Sequence, residues 1–414
     1  MGKKRAAPFT SAERKTLLGC VIAYGGAYIG RHNIAMLLTS LRDEFILTPA
    51  QAGLVVSLFA LTYAAGQLIN GSIVDRINPR RYLLLGLAGS ALCNLLLWLS
   101  SSYAMVLTAW CLNGAAQSML WAPVVRISSL NFTKEKHARV SFILSVTMPI
   151  ANMLAWTIAG QMSAAGHWRM GAFLPAVIML LAMLASMALL KDCKLSAAET
   201  HVKKKKDVMS FGSLMFPTGL ALLVCGCVGI GFVRDSIMNW GPTMLSEMTS
   251  FSATTASRIS LIVPMLGVLG IAFGRGTFSL MRGNPYHTLS VMALAAAGWA
   301  LGLIALGSGR ALLFALMLSL LYAFLQGANP MISSLIPMMY DQVGRVGTVA
   351  GIVDCAFYVG SSLSGVLTGV ISMQAGWSTV INTWWICCLI VALLAYASGK
   401  KFYARGLPQK EAQL

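Results

Sequence analysis

Charge is what this sequence most lacks. Only 11% of its 414 residues are Asp, Glu, Lys or Arg, against about 25% in an ordinary soluble domain. Acids are the scarcer sign, 13 against 31 bases. With 57% of residues hydrophobic, a water-soluble fold of this length could not cover its apolar surface, and the composition makes sense with the lipid bilayer as solvent. Catalytic patterns are missing too: there is no HExxH, no Gly-x-Ser-x-Gly and no paired-cysteine motif, and the five histidines are scattered, which argues against an enzyme, a bound metal or a cofactor. The nine cysteines (20, 93, 111, 193, 225, 227, 355, 387 and 388) show no metal spacing and nearly all sit in apolar stretches. They read as buried free thiols with no disulfide framework. The basic N-terminus precedes an apolar run of full spanning length without a small-residue cleavage site, so it reads as a retained first helix rather than a signal peptide.

What is present is a succession of apolar windows. They fall near 15–40, 51–74, 82–101, 103–131, 138–163 and 168–190, then resume near 213–245, 252–280, 287–306, 310–336, 345–373 and 376–398. A spanning helix needs about 20 such residues, so the expectation is an all-α membrane protein of twelve transmembrane helices. Residues 1–190 form one six-helix bundle, 191–211 a basic cytoplasmic linker carrying Lys203–Lys206, and 212–414 a second six-helix bundle.

The net charge of +18 invites a nucleic-acid partner, which its distribution defeats. With the N-terminus in the cytoplasm, 24 of the 31 Lys and Arg fall in cytoplasmic segments, and only Arg42, Arg169, Arg258 and Arg310 fall outside. That is the positive-inside bias. It places both termini in the cytoplasm of a cell-membrane (inner or plasma membrane) protein, with no nucleic acid bound and a monomer expected.

The two halves read as diverged repeats. A shift of 203 residues places Arg31 on Arg234, Asn33 on Ser236 and Ile34 on Ile237. Such parallel halves are the architecture of the major facilitator class, whose substrate site lies near the midplane between the halves. Between the second and third helices runs Gly71-Ser-Ile-Val-Asp75-Arg76-Ile-Asn78-Pro79-Arg80-Arg81, similar to that class's loop signature. Gly71 would allow close helix approach, and Asp75 would cap or pair at the cytoplasmic surface. A plain solvated turn is the alternative, since Asn-Pro is good turn chemistry by itself. The matching stretch of the second half, Gly270 to Arg282, lacks the aspartate.

Apart from the bases assigned to one membrane face or the other, five charged residues fall within the windows: Arg31, Arg126, Arg234, Asp235 and Asp354. Each costs about 2.5–3.5 kcal/mol at a helix centre on the insertion scale. Arg126 stands near a cytoplasmic helix end, where snorkelling to headgroups accounts for it. Arg31 and Arg234 occupy equivalent central positions, and two guanidinium forks suit a compact anion such as a carboxylate or phosphate. Tyr24, Tyr28 and Arg31 share one helical face, with aromatic packing as the equal alternative for either tyrosine. His32 points about 100° away from Arg31 and reads as packed or marginal, though its charge would respond to pH. Asp235 bears the same relation to Arg234, so those two need not pair. Asp354 would neutralise an arginine in the empty carrier or take a proton. Several prolines (123, 149, 242, 264, 330 and 337) flank these positions, as hinges of a rocking carrier would.

At these residues a family resemblance emerges. Tyr24-Gly-Gly-Ala-Tyr28-Ile-Gly-Arg31-His32-Asn33 resembles the first-helix motif of the organophosphate:phosphate antiporters, which include glycerol-3-phosphate and hexose-phosphate carriers. Trp121-Ala-Pro123-Val-Val-Arg126 is similar to their fourth helix, Arg234-Asp235-Ser-Ile-Met-Asn-Trp240-Gly-Pro242-Thr243 to their seventh, and Gly347-Thr-Val-Ala-Gly351 to their eleventh. The resemblance implies alternating access, Arg31 and Arg234 on the substrate's phosphoryl group, and exchange against inorganic phosphate. It also marks departures: His32 for a lysine, Gln67 for a second-helix basic residue, and Thr147 for a fifth-helix histidine. These favour a less highly charged anion, so phosphodiesters, phosphonates, zwitterionic phospho-compounds and carboxylates all remain open. The expectation is a secondary transporter of a small organic anion, a phosphorylated or phosphonate metabolite foremost, working as phosphate antiport or proton-coupled symport. A membrane sensor for such a metabolite and a carboxylate or other organic-anion transporter are the alternatives.

Overall fold

A computed structural model describes residues 8–47, 49–191, 211–251, 253–307 and 309–405. The expected linker at 191–211 therefore falls almost wholly outside the described residues, as does Cys193. All of the regular structure described is helical. The elements are α1 (Ser11–His32), α2 (Ile34–Phe45), α3 (Pro49–Val74), α4 (Pro79–Trp98), α5 (Tyr103–Gln117), α6 (Trp121–Asn131), α7 (Lys134–Ala164), α8 (Met170–Leu189), α9 (Phe211–Met215), α10 (Leu220–Met248), α11 (Ala253–Ser260), α12 (Ile262–Leu280), α13 (Pro285–Leu306), α14 (Ala311–Pro330), α15 (Ile336–Met339) and α16 (Val346–Ala404). Among the described residues, nine helices are long and apolar enough to cross a membrane. Other apolar windows are interrupted: α1 and α2 meet at Asn33, and a short break parts α5 from α6. A π-helical turn, Met331–Leu335, follows Pro330, whose missing N–H disturbs the regular ladder. Two windows run together in α16, bent where Gly376 takes a positive φ of 78°.

The chain groups into two compact units. One comprises residues up to Asp207 with Val343–Cys355, the other Val208–Gln342 with Ala356–Leu414. Sequence order alone put the first turns of α16 in the second bundle, whereas they pack with the first unit. The cause is local. Asp75, just after α3, accepts hydrogen bonds from Gly347 N–H at 2.9 Å, Thr348 N–H at 2.8 Å and Thr348 Oγ1 at 2.7 Å. A Cβ added at Gly71 or Gly351 would collide with the facing backbone, so small residues set this close crossing.

The same devices recur in both units. Asn78 and Asn284 each cap a helix by accepting from its first-turn N–H groups, with a proline next, the pre-organised helix start. Glu44, closing α2, accepts from Trp168 Nε1 at 3.5 Å and from Arg169 Nη1 at 2.9 Å. In the second unit Glu247, at the end of α10, accepts from Trp377 Nε1 at 2.7 Å. Glu44 and Glu247 are 203 residues apart, the interval that relates Arg31 to Arg234. Within the second unit, α12 crosses α14 through Gly270, Gly274 and Gly327, whose α-carbons leave no room for a side chain. Its core gathers Trp384, Phe314, Leu318 and Ile237.

Candidate functional site

In the first unit the site grows from α1 and α3. Arg31 is buried, and its helix is held in rotation by side-chain amides. Gln117 Nε2 donates to the Ala27 carbonyl at 2.9 Å, while Asn94 Nδ2 and Asn113 Nδ2 donate to the Gly30 carbonyl at 2.9 and 3.1 Å. Asn33 Nδ2 adds bonds to Asn94 Oδ1 and to the Gly171 carbonyl. Every donor here has an apolar alternative in the bilayer, so the bonds confine α1 to one register. The Arg31 guanidinium then lies over Tyr63 at 4.1 Å, with Phe59 at 5.2 Å and Tyr28 at 5.7 Å. Cation–π attraction strengthens once water is excluded, so the rings hold the guanidinium in place.

The neighbours of Arg31 extend the site. Tyr24 donates to the Tyr28 hydroxyl at 3.3 Å and packs against Trp121, ring centres 4.5 Å apart. His32 stacks on Tyr28 at 5.2 Å, the packed role that its direction along the helix suggests. Tyr63 donates its hydroxyl to Asp354 Oδ2 at 3.0 Å. Gln67, one turn beyond Tyr63, is fully buried, and neither of its amide atoms has a hydrogen-bond partner. The Thr147 hydroxyl turns back to the Ile143 carbonyl at 3.1 Å, and its methyl group faces Gly25.

The second unit holds the other arginine in a comparable setting. Arg234 lies over Phe357 at 4.0 Å. Its Nε donates to Asp235 Oδ1 at 2.9 Å and its Nη1 to Gln326 Oε1 at 3.5 Å. Asp235 also accepts a short hydrogen bond from Ser361. Neighbours on a helix diverge and so need not pair, but the long arginine stem bends back and closes the Arg234–Asp235 pair. Two residues on, Ser236 bonds Thr368 and Trp384 Nε1, an anchor at the position equivalent to Asn33.

At the loop end, Gly71 and Asp75 make the contacts already described, and Arg76 is exposed. Burial pushes the Asp75 carboxyl above its ordinary range, opposed by its three hydrogen bonds and the positive charge of Arg126. Arg126 is itself buried. It is enclosed by the protein, unlike the headgroup-seeking side chain that its place near a helix end suggested.

The family pattern described as Major Facilitator Superfamily matches residues 20–363. The chain belongs to the major facilitator superfamily. This is a superfamily of membrane transporters. Among curated relatives, the glycerol-3-phosphate transporter of Bacillus subtilis is 26% identical over 271 residues, covering 60% of this chain and 61% of that protein. A probable hexose phosphate transport protein of Chlamydia trachomatis is 21% identical over 406 residues, 90% of this chain and 88% of the relative. Among solved structures, the superfamily transporter FucP in its outward conformation aligns with a TM-score of 0.75 at 17% identity, covering 92% of this chain and 98% of that one. That likeness establishes the fold of a multi-span, all-α superfamily member.

Sequence reasoning missed Tyr63, Phe59, Phe357, Gln326 and Ser361. A signal for four of them was available. Phe59, Tyr63 and Gln67 recur every four residues along α3, and Phe357 and Ser361 follow Asp354 by three and seven, so each set shares a helical face with a residue already singled out.

Proposed function

We propose that this transporter carries a small organic anion by alternating access, and that Arg31 and Arg234 each bind the anionic group. The observation that carries the reading is the matched setting of the two arginines. Equivalent by the 203-residue interval, each guanidinium is set against aromatic faces inside its own unit. Holding a guanidinium inside a membrane domain costs several kcal/mol, and a paired site for carboxylate or phosphate oxygens gives that expense a purpose. Phosphorylated and phosphonate metabolites are the preferred class, supported by the names of the glycerol-3-phosphate and hexose phosphate relatives. Tyr24, Tyr28, Gln67 and Thr147 are the proposed neutral ligands around the anion. Gln67 has the strongest physical case, because a buried amide with no partner costs about 1–3 kcal/mol that a bound substrate would return.

We further infer twelve spans. The nine long helices yield this number when α16 counts twice at Gly376 and the pairs α1–α2 and α5–α6 each count once. Both termini then lie in the cytoplasm of the cell membrane. Phosphate antiport and proton-coupled symport are both consistent with the site. The test is counterflow in proteoliposomes, guided by a thermal-shift screen of phosphorylated, phosphonate and carboxylate metabolites. Exchange of a stabilising anion is the expected result. Binding without translocation would make the protein a sensor, and stabilisation by none of these anions would remove the substrate class.

A further inference from the structure

Amides buried in the first unit are mostly paired. Asn94, Asn113 and Gln117 donate to carbonyls of α1. Asn70, on α3, donates to Ser118 Oγ and accepts from the Tyr82 hydroxyl. Gln67 precedes Asn70 on the same helix and breaks the pattern. It is fully buried, and both Nε2 and Oε1 lack a hydrogen-bond partner. Among the described residues, no other buried side-chain amide lacks partners at both ends. Its backbone has no freedom to turn the side chain elsewhere. The Gln67 carbonyl oxygen lies so close to Gly351 that a Cβ added there would be 2.2 Å away.

An amide open at both ends has a particular chemical complement. One end donates and the other accepts, side by side in one plane, and turning the amide over exchanges the two without removing either. A fully ionised oxyanion offers acceptors only. It would satisfy Nε2 and set a lone pair against Oε1, which stays unpaired in a site without water. A single hydroxyl reaches both ends only through bent bonds. Two neighbouring oxygens, one bearing a hydrogen and one not, meet both ends with straight bonds. A singly protonated phosphate or phosphonate is such a group, and it still carries one negative charge. A phosphate monoester loses its second proton at about pH 6, so this form is abundant close to neutrality. A carboxylic acid offers the same pattern but gives up its charge with the proton. A sulfonate or a phosphodiester has the charge and no proton to donate.

We propose that Gln67 recognises the substrate's phosphoryl or phosphonyl group in its singly protonated form, donating from Nε2 to one oxygen and accepting at Oε1 from the P–OH. The proposal rests on the anion reading above and deepens it. The cargo is a phosphate monoester or a phosphonate carried as the monoanion, and phosphodiesters, sulfonates and carboxylates are poorer ligands. Selection of the protonation state falls to a neutral side chain that does not itself titrate.

The test uses the purified full chain and two probes of matched shape, ethylphosphonate and ethanesulfonate, titrated by thermal stabilisation. At about pH 6 both are monoanions, and ethylphosphonate should stabilise wild type at about tenfold lower concentration than ethanesulfonate. Raising the pH to about 9 strips the phosphonate's remaining proton and should raise the concentration it needs about tenfold. Ethanesulfonate keeps its charge throughout and marks any effect of pH on the protein itself. Gln67→Met keeps the bulk and removes both polar ends, so the preference at the lower pH should shrink to about twofold or less. Equal titrations of the two probes, a phosphonate titration that holds or improves as the pH rises, a preference that survives Gln67→Met, or no stabilisation by ethylphosphonate would each overturn the proposal. The wild-type titrations decide it even if the variant does not fold. Equal titrations leave the arginine reading intact, since both probes are anions. That reading falls separately, if Arg31→Lys and Arg234→Lys bind a stabilising anion as wild type does.

Discussion

At the scale of single residues, the Arg234–Asp235 pair decides what the second arginine is free to do. Asp235 occupies Nε of the guanidinium at 2.9 Å, so an anion approaching Arg234 competes with a tethered carboxylate. Removing that competitor should strengthen binding. Asp235→Asn is expected to tighten the anion about tenfold, since one close charge pair in a partly desolvated site is worth a kcal/mol or more. Competition binding on purified protein reads the change. Weaker binding would mean that Asp235 positions Arg234 instead of competing for its ligand. The local sequence exposed both residues but not their contact, because helical divergence describes where Cβ atoms point and not where a long side chain ends. The burial of Arg126 was hidden for a related reason: the residues that enclose it come from other parts of the chain.

Helices and their joints carry the next set of expectations. The Asp75 carboxylate satisfies two backbone N–H groups and a hydroxyl at the start of α16, donors that the helix itself leaves without partners. Asp75→Asn keeps the size but replaces one acceptor oxygen with a donor. Each lost charge-assisted bond is worth about 1.5–3 kcal/mol, so transport should fall several-fold. Faster hydrogen–deuterium exchange of the Gly347 and Thr348 amides in Asp75→Asn would report the loosened joint, and unchanged exchange would count against it. The clamp at the end of α2 supplies a pH expectation. Hydrogen bonds from Arg169 and Trp168 hold the Glu44 carboxyl below its ordinary value of 4.5. A depressed folded-state value means that the clamp contributes fully above that pH and is lost as the pH falls through the lower folded-state value. Thermal unfolding should therefore show a loss between neutral and strongly acidic pH that Glu44→Gln reduces. Identical acid profiles would deny the clamp a role. Asn-Pro starts at 78 and 284 and glutamates at 44 and 247 were visible in the sequence, yet only three-dimensional partners reveal them as one device used twice.

For the whole molecule, composition and charge distribution already pointed to a many-helix membrane protein, since those properties answer to the solvent and not to any particular contact. The paired arginines were legible too, because an ionisable residue inside an apolar run stands out at once. What the sequence concealed was the packing that joins distant segments, such as the start of α16 against α3, and the aromatic faces beneath each guanidinium. Topology remains a proposal with a direct check: a cysteine replacing Lys203 should react only with membrane-permeant reagents in intact cells. Labelling by an impermeant reagent would reverse the orientation. The central proposal is that Arg31 and Arg234 each bind the substrate's anionic group, and binding affinity in Arg31→Lys and Arg234→Lys tests it most directly. Lysine keeps the charge but loses the two-pronged edge, so each single change should cost about 2–5 kcal/mol of anion binding. Wild-type affinity in either single variant, with the protein still monodisperse, would contradict the account.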